Sequence, residues 1–335
     1  FGDRWAAEAQ ALMVPRAPID LRVNTAKATV AEVEAELREA GLSPERTPWS
    51  SVGLRLASEP PPNVQALEAF KAGRIEIQDE GSQIVCWLAG VTPGMTVVDY
   101  CAGGGGKTLG LAAQMTRETT KVAEVAEVAE APAKVWTPTG EAEPAPMRKV
   151  PAPAANEGRL VAYDVVQKRL DNIRPRLARA GVAAELHQLG PNGGGVEEMV
   201  GQADVVLVDA PCTGSGTWRR RPEDAWRLKP EDVDRMHTLQ MAIVARAAKL
   251  VKPGGRLVYV TCSMLTAENE ATVDAFEEDH PDFVPAPIAE AAQVAGLNEA
   301  GREKLAELAH GHRIRLSPAT AGTDGFFAAV YERRA

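Results

Sequence analysis

Two cysteines stand where a thiol could do covalent chemistry. Cys212 lies in Asp209-Ala-Pro-Cys-Thr-Gly-Ser-Gly216, at the end of the apolar run Asp204–Asp209. Cys262 lies in Thr261-Cys-Ser263, at the end of the run Arg256–Thr261. Both runs read as buried strands. In a doubly wound sheet, ligands bind outside the carboxyl ends of the strands near the switch point. Cys101, Cys212 and Cys262 can therefore share one crevice. A thiolate adding at C6 of a pyrimidine makes C5 enolate-like, so that it can attack a methyl sulfonium. Asp209 is placed to hydrogen-bond the N3/N4 edge of such a base and favour the addition. A base must then take the C5 proton, and a second cysteine can assist release. A duplex substrate would need its cytosine flipped out. The plain alternative is that free cysteine is a small buried hydrophobe. Cys86, beside Trp87 in an apolar stretch, takes that reading, and Cys101 could simply pack under the loop that follows it.

That loop, Asp99-Tyr-Cys-Ala-Gly-Gly-Gly-Gly-Lys-Thr108, follows a strand and precedes a helix. A P-loop needs glycine six residues before its lysine, where Cys101 stands. A dinucleotide fingerprint needs a third glycine at Thr108 or Leu109. Both patterns fail. The remaining functional reading is a nucleoside-cofactor loop, with Asp164 ending the next strand to hold the ribose hydroxyls. Asp164 follows Asp99 by 65 residues (164 − 99), against about 20 in ordinary folds of this kind. Excising a suspected insertion restores the usual spacing. Seen alone, the loop could also be a glycine-rich turn that packs a helix on a sheet.

The elements that must position these groups alternate strand and helix from residue 76 to 335, predicting an α/β parallel sheet covered on both faces. Strands are expected at Thr96–Tyr100, Arg159–Asp164, Ala184–Leu189, Asp204–Asp209, Arg256–Thr261 after the Pro253-Gly254-Gly255 turn, and Gly325–Tyr331. Residues 1–75 read as a small α+β unit, with a strand at Ile19–Asn24 and a helix from Thr29 to Ala40. Thr29 is its N-cap, Glu32 the capping-box partner, and Gly41 its stop. Between about residues 116 and 157, Val-Ala-Glu repeats and a Pro/Ala-rich stretch cannot bury a core. They are expected to form a flexible insertion, or else a substrate-contacting arm.

The chain has 335 residues, 45% hydrophobic and 25% charged, an ordinary soluble composition. No apolar run approaches the roughly 18 residues of a membrane span. The formal net charge of −9 disfavours a nonspecific nucleic-acid coat but leaves room for a local basic cleft. Four cysteines and five histidines show no metal-ligand spacing. A reduced, cytoplasmic monomer without a metal is the expectation. The first residue is Phe1, so an upstream segment stays open.

Six ordered blocks resemble the family of bacterial and eukaryotic RNA cytosine-C5 methyltransferases, especially the small-subunit rRNA enzymes. They are Leu21-Arg-Val-Asn24, Gln78-Asp-Glu-Gly-Ser-Gln83, Cys101–Thr108, Asp164–Arg169, Asp209-Ala-Pro-Cys212 with Thr261-Cys-Ser263, and Gly322-Thr-Asp-Gly-Phe-Phe327. The resemblance covers nearly the whole chain. It implies a Rossmann-like class I methyltransferase sheet, S-adenosylmethionine as cofactor and RNA, specifically rRNA, as partner. It also implies that residues 1–75 form an RNA-binding unit. Cys262 becomes the nucleophile, Cys212 the residue that helps eject the enzyme, and Asp209 the group at the cofactor–base junction. Cys101, Ala102, Gly103, Gly104, Gly105, Gly106 and Lys107 line the cofactor, together with Asp164 and Arg169. Two departures imply a weaker cofactor grip. Gly103 stands where the family loop has proline, and Gln188-Leu189-Gly190 offers no acid for the adenine, so no residue is assigned to that contact.

Trp218-Arg219-Arg220-Arg221, then Trp226, Arg227 and Lys229, form the densest basic and aromatic cluster. Such residues suit phosphate contacts and base stacking. A solvated helix entry with tryptophan packing is the alternative. Arg22 and Lys27 are further candidates. Three rivals follow from other classes of function. A DNA cytosine-C5 methyltransferase would use Cys212 as nucleophile. A noncatalytic RNA-binding or assembly factor would keep only the fold. An ATPase is disfavoured by the failed P-loop.

Overall fold

The structure is a computed structural model and describes residues 2–13, 16–57, 59–116, 158–190, 192–291 and 296–335. The expected insertion at 116–157 lies outside the described residues beyond Thr116.

The N-terminal sheet is antiparallel, built from β1 (Ile19–Val23), β2 (Glu45–Arg46), β3 (Gly53–Leu56) and β4 (Ile75–Ile77), in the order β2-β3-β1-β4. Its inner face (Leu21, Val23, Leu54, Leu56, Ile75) buries against the helix Val30–Glu39 through Val33 and Leu37. That helix begins as its sequence dictates. The Thr29 side chain accepts from the Glu32 backbone, and the Glu32 side chain accepts from the Thr29 backbone N–H, which satisfies two orphan donors of the first turn.

Among the described residues the large sheet has nine strands. Five run parallel, in the order β7 (Glu185–Gln188), β6 (Arg159–Asp164), β5 (Thr96–Asp99), β8 (Ala203–Asp209), β9 (Val251–Thr261). Strand order reverses at β5/β8, so the switch-point crevice opens there. Beyond β9 the sheet is antiparallel. β13 (Phe326–Arg333) pairs with β9, with β12 (Arg313–Leu316) and with β10 (Phe283–Pro285), and β11 (Ala309–His310) closes the edge. The sheet is thus mixed where a parallel one was expected. A chain returning beside β9 by the short route from Gly322 can only run against it. The Pro253-Gly254-Gly255 turn also lies inside β9. Val251 already pairs with Ala203, and the register resumes at Arg256 opposite Val205, so the turn is a bulge within the strand.

Helices cover both faces. Ile84, Val85 and Leu88, from the helix Glu80–Trp87 and its C-cap, pack on Val97, Leu111, Leu207 and Val260. On the other face Ile243, Val244 and Ala247, from the helix Pro230–Ala248, pack on Val206, Val208, Leu257 and Tyr259. Buried on both faces, β8 reads as a continuous apolar run.

Candidate active site

The sheet brings Cys101, Asp164, Asp209 and Cys262 to the carboxyl ends of β5, β6, β8 and β9. Cys212 Sγ lies 3.4 Å from Cys262 Sγ. Two loops 50 residues apart make this contact, and several bonds hold them together. Gly216 N donates to the Cys262 carbonyl at 2.9 Å, and Gly325 N donates to the Gly216 carbonyl at 2.8 Å. A Cβ at Gly216 would fall 2.2 Å from the Gly325 carbonyl oxygen, so only glycine lets the loops approach this closely. Ser215 Oγ sits 3.1 Å from Ser263 Oγ and accepts from Met264 N at 2.8 Å.

The two thiols differ electrostatically. The hydrogen bond from Cys212 pulls the Cys262 pKa below its ordinary value, against burial and the Asp209 charge and with help from Lys107. The same bond pushes Cys212 well above the ordinary thiol range, with burial, the Cys262 charge and Glu268 adding to the rise. The contact thus drives the two thiols apart, Cys262 downward and Cys212 upward, which favours Cys262 as the one that ionises first. Cys86 is fully buried, and burial pushes its thiol up to about 12. Burial likewise raises Cys101 well above its ordinary value. It packs against the core on the Tyr100 face of the sheet.

Lys107 Nζ donates to Asp209 Oδ2 at 2.7 Å and stands 5.1 Å from the centre of the Phe326 ring. Burial alone would lower its pKa, but Asp209 outweighs this and the ammonium is held charged. Lys107 therefore does not simply line the loop. It is the cation facing both Asp209 and Cys262, a pairing across 102 residues that sequence spacing did not reveal.

The glycine loop turns as a nucleoside cradle requires. Gly103 (φ +54°) and Gly105 (φ +81°) take the left-handed region, and a Cβ at Gly105 would meet Ile173 at 2.9 Å. Asp164 accepts from Gly103 N at 3.0 Å and from Val166 N at 2.8 Å. Arg169 stands 3.7 Å away. Next to Asp164, Val165 is 54% exposed, an apolar surface suited to a flat ring. Gln188, at the place without an acid, donates its amide to the Val165 carbonyl at 3.1 Å. The residues present fit a nucleoside cofactor.

The basic cluster separates into two groups, which corrects part of the sequence expectation. Arg219 is buried, bonding Asp324 at 2.6 Å and Asp79 at 3.4 Å. Arg220 bonds the same two carboxylates at 2.5 and 3.0 Å and the Pro18 carbonyl at 3.0 Å. These guanidiniums lock the Cys212 loop to the block around Asp324; Arg219 is buried there, whereas Arg220 keeps an exposed edge. Arg22, also buried, donates to Gln78 Oε1 at 2.7 Å. Lys27 Nζ donates to the carbonyls of Ala72 and Arg179 at 3.0 and 2.6 Å. These two, like Arg219 and Arg220, join elements of the fold. Arg221, Arg227 and Lys229 are exposed, and Trp226 is 83% exposed.

One group that sequence reasoning missed lies beneath the thiols. Glu268 is fully buried and accepts from Thr213 N (2.8 Å), Thr213 Oγ1 (2.6 Å), Gln240 Nε2 (3.1 Å) and Ser263 Oγ. Its only sequence signal was its position six residues after Cys262.

This sheet order, with a glycine cradle at its switch point, defines a class I methyltransferase fold. The sequence profile of the 16S rRNA methyltransferase RsmB/F family matches residues 150–332, and the ferredoxin-like domain profile of RsmF/B-like methyltransferases matches residues 1–63. The chain belongs to the RsmB/F methyltransferase family. It is 30% identical over 324 residues to the ribosomal RNA small subunit methyltransferase B of Vibrio cholerae, covering 95% of this chain and 59% of that protein. The Xanthomonas campestris protein of the same name is 27% identical over 331 residues, with coverages of 97% and 63%. The chain thus spans less than two thirds of the length of these curated relatives. Among solved structures, PH0851 superposes with a TM-score of 0.77 at 30% identity, covering 99% of this chain and 63% of that one. A methyltransferase homolog protein from Pyrococcus horikoshii gives 0.69 at 28% identity, with coverages of 99% and 92%. Among the described residues, no helix is long and apolar enough to cross a membrane.

Proposed function

We propose that this chain transfers a methyl group from S-adenosylmethionine to C5 of a cytosine in rRNA, through a covalent bond between Cys262 and C6 of the base. The observation that carries this reading is the 3.4 Å contact between Cys212 and Cys262, with Lys107 and Asp209 facing the same thiol. Membership of a family described as 16S rRNA methyltransferases supports the choice of rRNA.

When bound, S-adenosylmethionine would supply the methyl as an electrophilic sulfonium carbon, its S–CH3 bond breaking to leave the neutral thioether S-adenosylhomocysteine. Cys101, Ala102, Gly103–Gly106 and Lys107 would line it, Asp164 would hold its ribose, and Arg169 flanks that carboxylate. The Cys262 thiolate gives its electron pair to C6, and C5 becomes the carbon nucleophile. Lys107 holds one Asp209 oxygen and leaves the other for the N3/N4 edge of the base. After methylation the C5 proton leaves to a base, and the freed electron pair re-forms the C5–C6 double bond as the S–C6 bond breaks. Cys262 departs as a thiolate, and the Cys212 thiol stabilises it by the hydrogen bond it makes in the free protein. Arg221, Trp226, Arg227 and Lys229 at the mouth take the RNA backbone and stack an unpaired base. Labelled methyl incorporation into rRNA, with bisulfite sequencing to locate the product, tests the reading. No incorporation, or product at another atom, would sink it.

A further inference from the structure

The two sulfurs belong to loops on separate strands, joined by the Gly216 and Ser215 bonds described above. Beneath the pair lies a buried carboxylate that the chemistry above does not use. Glu268 accepts four hydrogen bonds, and three come from residues adjoining the cysteines: the Thr213 backbone and hydroxyl, and the Ser263 hydroxyl. The fourth comes from Gln240, on the helix under the sheet, which also donates to the Pro211 carbonyl at 2.9 Å. The Glu268 backbone is fixed in turn, since its carbonyl accepts from Tyr259 OH at 2.7 Å. The next residue, Asn269, accepts from Thr261 Oγ1 at 2.5 Å and donates to the Ser263 carbonyl at 2.9 Å. Most of the bonds of this small network go to residues flanking Cys212 and Cys262.

We propose that Glu268 is the positioning residue of the thiol pair, binding Thr213 from one cysteine loop and Ser263 from the other and so fixing the distance between the two sulfurs. A carboxylate suits this task because it offers only acceptors, and all four neighbours are donors. Glu268 lies on the Cys212 side of the pair and Lys107 on the Cys262 side. The groups facing the pair are Lys107 and Asp209 toward Cys262, and Glu268 and Tyr259 toward Cys212. Preorganisation of this kind is costly to lose, since a misplacement of about 1 Å can lower a rate about a hundredfold.

The inference rests on the functional reading above only in naming Cys212 as the residue that aids release. Two measurements on the full chain test it. In the first, iodoacetamide labelling is resolved by site. Cys262 reacts ahead of Cys212 in the wild type, and Glu268→Ala narrows that difference about tenfold or more. In the second, turnover on rRNA falls about a hundredfold in Glu268→Ala, and an enzyme–RNA adduct that survives denaturation accumulates while S-adenosylmethionine affinity is kept. Glu268→Gln can still bridge, accepting at one position and donating to the two hydroxyls at the other, and it restores most of the turnover and of the labelling order. If Glu268→Ala does not fold, Thr213→Val and Ser263→Ala each remove one arm of the bridge and show the same effects in smaller measure. Wild-type labelling order and turnover in the folded variants would overturn the inference, as would a Glu268→Gln variant as impaired as Glu268→Ala. A wild-type chain that methylates nothing yet shows the labelling shift overturns the functional reading alone.

Discussion

Lys107 reaches across the crevice to Asp209, and the 2.7 Å bond between them places a buried cation beside the Cys262 thiol. The thiolate is the charged form of cysteine, so a nearby cation lowers its pKa and removal of that cation raises it. Lys107→Met should move the acid limb of the kcat/KM profile to higher pH, by about one unit, and slow the reaction at neutral pH about tenfold. Site-resolved alkylation against pH measures the Cys262 pKa directly. A profile unchanged in position would show that Lys107 serves Asp209 and not the thiol.

The unequal thiols make an unequal pair of variants. Cys262→Ala should abolish methylation and leave no covalent RNA adduct. Cys212→Ala should still attack the base but release it slowly, so that labelled RNA comigrates with protein on a denaturing gel. The opposite pattern, with the adduct surviving in Cys262→Ala and absent in Cys212→Ala, would make Cys212 the nucleophile, as in the DNA enzymes.

Much of this was legible from sequence, and what was not has a physical reason. The strands around β5, β6 and β8 were legible because each is buried on both faces and so reads as an apolar run. Thr29 and Glu32 announced a helix start because a capping box is local chemistry. Strand-end placement then brought Asp209, Cys212 and Cys262 together without knowledge of side-chain contacts. Long-range pairing of charge was not legible. Arg219 and Arg220 looked like phosphate ligands because the carboxylates that bind them are distant in sequence. Their partners, Asp79 and Asp324, lie 140 and 105 residues from Arg219. Glu268 was invisible for the same reason, since an acid after a strand is usually solvated. The antiparallel course of β13 depends on how the chain returns to the sheet, which periodicity does not encode.

The split of the basic cluster predicts two kinds of mutant. Arg219→Ala leaves Asp79 and Asp324 buried with one cation fewer, and breaking such a buried pair costs about 3–5 kcal/mol. Urea denaturation should show that loss, with the salt dependence of RNA binding unchanged in protein that remains folded. Arg227→Ala should do the reverse, leaving stability within about 0.5 kcal/mol and lowering the slope of log K against log salt by about one. Trp226→Ala should weaken single-stranded RNA by about 1–3 kcal/mol, as expected where a base stacks on an exposed ring. An Arg219→Ala variant of full stability and reduced salt slope would restore the simpler picture of one continuous RNA-binding cluster.

Asp99 ends β5 under the glycine loop and is fully buried. Its Oδ2 accepts from Thr108 Oγ1 at 2.6 Å, while Oδ1 has no hydrogen-bond partner among the described residues. Burial pushes its pKa up to about 7 from an ordinary 3.8. The sign for stability follows from proton counting. Below pH 3.8 both folded and unfolded chains hold this proton. Between that value and about 7 the folded chain keeps it and the unfolded chain has lost it, so raising the pH favours unfolding, by up to about 1.4 kcal/mol per unit. Above about 7 both forms are ionised and the slope vanishes. Asp99→Asn stays neutral throughout and can still accept from Thr108. Its Tm should therefore gain on the wild type steadily from about pH 4 to 7 and then hold a constant lead. A lead independent of pH across that window would mean that Asp99 is ionised in the folded protein even at low pH, held so by a charge on the Lys107 side of the loop.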